Sequence, residues 1–340
     1  MLKKVDDWTY IRLGLLWILL ATAAKCYQHL DEVQKKREIK DAENLELAQV
    51  MPVRDIKSHP GFQEFINSHP VYVVLTATPK RVEHLDKVWA SIDMQWVKNI
   101  VLAIPETFAR TGEKYSIPTK LLSQKKLKIV HSKKDYGPIT KLIPAWNWIQ
   151  KSDRDAIIII IDDDYIYPKG MVVEHLYFLW QGQGKKASSA IVAKLGEESL
   201  MPHAYKVQSS YLEKLLPGQE VKLVHGVGSI GLLASMVDKK LIMELHAYEE
   251  SLGDNSCYLS DDAVISYMLQ SQGISIVSIQ TDYLSHPILK PLNAVAEKDA
   301  IHNIPIWRGV QGWWKKKGPS PIEVRLDKCF ANMSNYVSSH

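Results

Sequence analysis

The chain has 340 residues, 46% of them hydrophobic and 24% charged, and its 42 basic and 38 acidic residues leave a formal net charge of +4. That length supplies a substantial core, in one large domain or two small ones. So even a balance excludes the concentrated basic face of a nucleic-acid binder, and no nucleic-acid partner is expected. The short clusters Lys125–Lys126 and Lys315–Lys317 read as solvated surface. Cys26, Cys257 and Cys329 are too few and too scattered for a disulfide framework or a zinc site. One pair can form, but free thiols are the expectation.

Leu13 to Ala24 form an uncharged run of twelve between Arg12 and Lys25. As helix it rises about 18 Å, short of the roughly 30 Å hydrocarbon core. Trp8, Tyr10 and Ile11 extend it to a thin span if Arg12 snorkels. Ala21-Thr22-Ala23 also fits a signal-peptidase site, and a buried helix is the third alternative. A membrane anchor within residues 1–27 is the leading expectation, with a cytoplasmic chain as the other outcome. Residues 28–66 carry many Glu, Lys, Gln and Asp and a sparse apolar stripe (Leu30, Val33, Ile39, Leu45, Leu47, Val50), which reads as a charged helical stalk.

A regular alternation fills residues 67–290. "VYVVLTAT" is a strand and "RVEHLDKVWASIDMQ" has helical spacing; "NIVLAIP" and "KLKIVH" are strands, and "ITKLIPAWNWIQ" is helical. "AIIIII" (Ala156–Ile161) is the most apolar strand of all, followed by the helix-like "GMVVEHLYFLW". Continuous apolar strands alternating with helices predict an α/β fold whose mostly parallel central sheet is covered on both faces. In such sheets ligands bind beyond the carboxyl ends of the strands. The isoleucine strand therefore belongs at the sheet centre, and its exit delivers Asp162, Asp163 and Asp164 to the crevice. Folding gains nothing by crowding three carboxylates, whereas hard oxygen ligands suit Mn²⁺ or Mg²⁺. The competing reading is a solvated, helix-capping turn.

"IDDDYIYP" resembles the aspartate (DxD) motif of nucleotide-sugar glycosyltransferases of the GT-A, Rossmann-like fold. The resemblance implies that Asp164 ligates the metal and that Asp162 contacts the nucleotide and shares the metal. Asp163 joins the donor side without a specific role. "VVLTATPKRVEHLDKVWASI" resembles the first strand and helix of bacterial-type members, which makes Thr76 and Thr78 candidate base or ribose contacts. Ala77 stands where that pattern often has threonine. "KDYGPITKL" is similar to a "D-x-G-P-x-T-K" stretch of the same group. Its Gly-Pro turn and helix start aim backbone N–H groups and one lysine at an anion, so Lys141 is a diphosphate contact and Asp135 a base or ribose contact. "LVHGVGSIGLLAS" holds Gly226, Gly228 and Gly231 in a strand-like context, suited to close approach of donor or acceptor or to a bulge.

"YLSDDAVISYMLQSQGISI" repeats apolar residues at helical spacing, with Ser260 as N-cap and Asp261–Asp262 in the first turn. Acids at a helix start are common for dipole reasons alone. The stretch also resembles the "ED" or "DD" motif of inverting glycosyltransferases, implying Asp262 as general base and Asp261 as its orienting or acceptor-binding neighbour. By the same resemblance a late histidine, His286 or His302, completes the metal site.

Residues 291–340 form a C-terminal extension. Trp307, Trp313 and Trp314 suit an acceptor platform, a core or a membrane surface, and Asn332 opens an N-x-S sequon. The resemblance thus implies a Mn²⁺- or Mg²⁺-dependent enzyme that takes a nucleotide-sugar donor, expected to be UDP-linked, and a glycan or other hydroxylated acceptor. A nucleotidyl or phosphoryl transferase shares the sheet and acidic site, but no G-x-x-x-x-G-K-[ST] loop is present. An inactive carbohydrate-binding module is the non-enzymatic alternative.

Overall fold

The computed structural model describes residues 56–167, 170–190, 192–193, 218, 220–221, 223–224, 229–279 and 328–336. The chain divides into two compact units, Met1–Pro52 and Val53–His340, and the first lies outside the described residues. So do the hydrophobic run, most of the stalk, Gly226, Gly228, His286, His302, the three late tryptophans and Lys315–Lys317.

In chain order the second unit forms helix α1 (Pro60–Ser68), strand β1 (Val71–Leu75) and a 3-10 turn (Val82–His84) leading into α2 (Leu85–Ser91). Then come β2 (Asn99–Pro105), α3 (Thr119–Leu122), β3 (Leu127–Ser132), a 3-10 turn (Gly137–Lys141), α4 (Ile143–Ile149) and β4 (Ile157–Ile160). Next are α5 (Met171–Gln181), β5 (Lys186–Ser189), β6 (Val192–Ala193), β7 (Glu220–Val221) and β8 (Leu223–Val224). The unit continues with β9 (Ile230–Leu233), α6 (Lys239–Ser251), α7 (Asp261–Ser271) and β10 (Ser275–Ser278). A last helix, α8, covers 328–336.

Among the described residues eight strands make one sheet in the order β3-β2-β1-β4-β9-β5-β10-β7, while β6 and β8 pair separately. The pairs β3–β2, β2–β1, β1–β4 and β5–β10 are parallel. β9 runs antiparallel to both β4 and β5, and β7 antiparallel to β10. The expected mostly parallel central sheet flanked by helices is therefore present, and β4 lies in its interior. Ile157–Ile160 have no exposed surface and Ile161 is 1% exposed, so the isoleucine run is buried from both faces. The expected boundary at residues 66–67 runs through α1, whose Phe62 is fully buried edge-on to Trp96 and Trp180.

Two expectations change here. Lys126 is not simply solvated: its ammonium donates to the carbonyls of Met94 and Val97, both at 2.7 Å. The free-thiol expectation is also overturned, because Cys257 and Cys329, 72 residues apart, form a disulfide. Nothing in the spacing marks that pair, since the fold alone brings α8 beside the loop before α7.

Gly231 likewise acts in packing rather than toward a ligand. A Cβ there would lie 2.6 Å from the Ser188 Oγ and 2.7 Å from the His175 Nδ1. The missing side chain leaves room for His175, fully buried on α5, whose ring bonds the Ser188 hydroxyl at 2.7 Å and the Ser229 hydroxyl at 2.8 Å.

Burial pushes the His175 pKa from 6.5 down to about 3. The unfolded chain takes up a proton there between pH 6.5 and about 3 that the folded chain refuses. This contribution to stability is therefore full above pH 6.5 and declines as pH falls through that window. Urea unfolding of wild type and His175→Asn at pH 7 and pH 5 should show it. The wild type is expected to lose about 2 kcal/mol more between the two pH values than the variant.

Candidate active site

The site lies where the parallel strands end. β1 runs out into Thr76, Ala77 and Thr78, and β4 into Asp162–Asp164. The segment after β3 carries Asp135 and the Gly137–Lys141 turn. Asp261 and Asp262 open α7.

One ammonium group joins the two acidic clusters. Lys141 is 3% exposed, and its Nζ lies 2.5 Å from Asp162 Oδ1 and 2.7 Å from Asp261 Oδ2. The Asp162 contact is a hydrogen bond. The Asp261 contact is an ion pair of nearly the same length. Burial disfavours the charge on Lys141, but Asp162, Asp261 and Asp262 together raise its pKa, so it stays protonated. The lysine expected to meet a diphosphate thus meets the chain's own carboxylates.

A second cation was not singled out from the sequence. Arg81, two residues beyond Pro79 at the β1 exit, places Nη1 2.7 Å from Asp163 Oδ1 and Nη2 3.2 Å from Asp164 Oδ2. It follows the "TATPK" run that leaves β1, where an arginine at a helix start ordinarily reads as solvated surface. Asp163, left without a role by the sequence, is the buried partner of this guanidinium, and its Oδ2 has no hydrogen-bond partner.

Two cations do not balance five carboxylates. Burial, followed by the charges of Asp163 and Asp162, pushes the Asp164 pKa up to about 7. Burial also raises Asp163 despite Arg81. Asp261 rises to about 6, again through burial first, with Lys141 opposing and Asp262 and Asp162 adding to the rise. The strand-end oxygens therefore favour an additional positive charge. Asp162 and Asp164, with side chains 25% and 15% exposed, offer the hard oxygen chemistry a divalent cation prefers. No group of three metal-ligating side chains converges among the described residues.

The other expected residues divide. The Thr78 Oγ1 is buried without a hydrogen-bond partner, and its carbonyl accepts from the amides of Arg81 and Val82. Thr76 is partly buried beside it. Asp135 is engaged in shaping the loops: Oδ1 accepts from the Gly137 amide at 2.8 Å and Oδ2 from the Ala109 amide at 2.9 Å. Gly137 has φ +65°, and a Cβ there would lie 2.4 Å from the Tyr258 carbonyl oxygen. The Asp135 turn therefore abuts the loop that leads to Asp261. Ser260 occupies the N-cap position of α7, yet its side chain makes no capping bond and its Oγ is buried without a partner. Asp262 is more exposed than Asp261.

No protein-family model matches the chain, and no curated protein does. Among solved structures it is similar to the 2-C-methyl-D-erythritol 4-phosphate cytidylyltransferase of Francisella tularensis, at 12% identity and a TM-score of 0.35 over 67% of this chain and 95% of that one. It is also similar to a mannosyltransferase from Pyrobaculum calidifontis in complex with GDP-Man and Mn²⁺, at 13% identity and a TM-score of 0.39 over 80% and 75%. At such scores neither likeness bears on what this chain does.

Breaking a buried ion pair leaves an uncompensated charge, commonly at a cost of 3–5 kcal/mol. Because Asp162 is partly exposed, Lys141→Met should destabilise the fold by about 3 kcal/mol at pH 8. The loss should be smaller at pH 5, where Asp261 takes up a proton. Urea unfolding at the two pH values checks this, and an equal loss at both would separate Lys141 from the carboxylates.

Proposed function

We propose that the chain is a metal-dependent glycosyltransferase of the GT-A fold, transferring a sugar from a nucleotide donor, most simply a UDP-sugar, to a glycan or other hydroxyl acceptor with inversion. The observation that carries this reading is the Lys141 ammonium held between Asp162 and Asp261. It brings the acids at a buried strand's end beside those at a helix start, as a site with a donor side and an acceptor side requires.

On the donor side Asp162 and Asp164 would hold Mn²⁺ or Mg²⁺, with Asp162 also toward the nucleotide and the exit of β1 toward its base. The metal, when bound, supplies positive charge for the leaving diphosphate. Lys141 and Arg81 add fixed cationic character to the same crevice. On the acceptor side Asp262 takes the proton of the attacking hydroxyl. It is the more exposed of its pair. Asp261, buried against Lys141 with a raised pKa, is suited to hold its neighbour in place. His286 remains the proposed further metal ligand from outside the described residues.

The compartment is also a proposal. Among the described residues no helix is long and apolar enough to cross a membrane, so the anchor proposed for residues 1–27 rests on the sequence. The Cys257–Cys329 disulfide favours an oxidising lumen for the catalytic unit.

A screen of nucleotide sugars with Mn²⁺, read as nucleotide release, should find a donor. Asp164→Ala is expected to abolish metal-dependent donor binding by calorimetry. Asp262→Asn should retain that binding and lower kcat by about a thousandfold or more. Wild-type transfer by Asp262→Asn would remove it as the base. Nucleotide binding without turnover across donors and acceptors would favour an inactive module.

A further inference from the structure

Asp261 and Asp262 stand at the end of a nine-residue loop, 252–260, that joins α6 to α7. A loop that carries reacting groups needs external restraint, and here much of it comes from one buried carboxylate and from α8. Glu249, on α6 and 1% exposed, accepts from the amides of Cys257 at 2.5 Å and Tyr258 at 2.9 Å. Asp254 accepts from the Asn255 amide at 2.7 Å, the Ser256 amide at 3.2 Å and the Ser256 hydroxyl at 2.9 Å.

α8 fastens onto these same two carboxylates. The Asn332 amide donates to Asp254 Oδ2 at 2.8 Å and to Glu249 Oε1 at 3.4 Å, and Lys328 lies 3.1 Å from Asp254 Oδ2. The Tyr336 hydroxyl donates to Glu244 Oε2 at 2.6 Å, while Cys329 is bonded covalently to Cys257, four residues before Asp261. Cys257, Cys329 and Met333 are wholly buried under this contact. Asn332, which heads the sequon, thus has its amide nitrogen committed inside the fold. On the opposite side the Tyr258 carbonyl rests against Gly137, four residues before Lys141.

We infer that residues 328–336, locked by Cys257–Cys329 and by Asn332, are a positioning clamp that sets Asp261 and Asp262 against the donor half of the site, and that reduction of this disulfide slackens the acceptor side alone. The inference rests on the glycosyltransferase reading for its kinetic consequence, but not for its structural one. The reductant is a dithiol. One thiolate attacks a sulfur of the pair, the Cys257–Cys329 bond breaks, and the second thiol then attacks the mixed disulfide at the reductant's own sulfur and displaces the remaining cysteine as its thiolate. Two electrons and two protons end on the cysteines, and the reductant leaves as its own cyclic disulfide. Because both sulfurs are buried, this attack requires α8 to lift. Asn332 and Cys329 act through the loop and touch no reacting atom, so they are positioning residues.

The test uses the full chain, oxidised or treated with dithiothreitol, together with Cys329→Ser and Asn332→Ala. Hydrogen exchange is followed over 252–262, UDP–Mn²⁺ binding by calorimetry, and UDP release from a mixture of UDP-glucose, UDP-galactose and UDP-N-acetylglucosamine. Loss of the disulfide or of the Asn332 side chain should speed exchange at the Cys257 and Tyr258 amides by about tenfold or more. It should lower kcat by about tenfold, with donor KM and UDP affinity within about twofold. Reoxidation with glutathione disulfide should restore both exchange protection and kcat in the reduced chain. Unchanged exchange over 252–262, or UDP affinity lost in step with kcat, would overturn the clamp. Should Cys329→Ser fail to fold, Asn332→Ala and the reduced chain decide the matter. Faster exchange with no UDP release from any form, oxidised chain included, would uphold the clamp and sink the UDP-sugar transferase reading.

Discussion

Charge concentrated at the end of a wholly apolar strand governs this molecule. β4 is buried from both faces, so its exit places Asp162, Asp163 and Asp164 together at the carboxyl end of the strand. Carboxylates in that position must be solvated, protonated or matched. The chain matches two of the three strongly: Arg81, from the β1 exit, takes Asp163, and Lys141, from the turn after β3, takes Asp162. Each cation also reaches a further acid, Asp164 or Asp261. Three strand exits and one helix start are thus tied together by a few ion pairs, and negative charge is left in excess.

The sheet was legible because a buried parallel strand leaves a continuous apolar run, and "NIVLAIP" coincides with β2 residue for residue. The site was legible where charge contradicted burial, as with three aspartates after five isoleucines. It was less legible where a residue's task depends on a partner remote in sequence. Arg81 looks like any arginine opening a helix until the fold brings Asp163, 82 residues later, to its guanidinium. Cys257 and Cys329 look unrelated because their proximity is created by α8 docking on α6. Gly231 reads in the sequence as room for a ligand or as a bulge, and in the fold it clears space for a buried histidine that no periodicity reveals.

The ends of the helices show the same limit. Ser260 sits where an N-cap should, yet its hydroxyl faces no amide. The loop before it is held by Glu249 and by the disulfide rather than by a local capping bond. Local propensity therefore placed the start of α7 correctly while a tertiary restraint supplied the order. Asp135 makes a related point: a carboxylate at a strand exit suggested recognition, and its oxygens serve the amides of Ala109 and Gly137.

The strand order carries a kinetic consequence. β1 pairs with β4, with Val71 opposite Ile157, and β4 pairs with β9, with Ile157 opposite Leu233. Neither pairing is available to a short stretch of chain, and both must close before Asp162 can meet Lys141 and Asp261 together. Non-local strand pairing makes for slow folding, because the entropy of closing long loops precedes any stabilising contact. During that interval the isoleucine run is exposed without an edge to pair with, as apolar and β-prone a segment as aggregation selects. The three aspartates immediately after it then act as charged gatekeepers, repelling like copies of the same segment while the chain is still open.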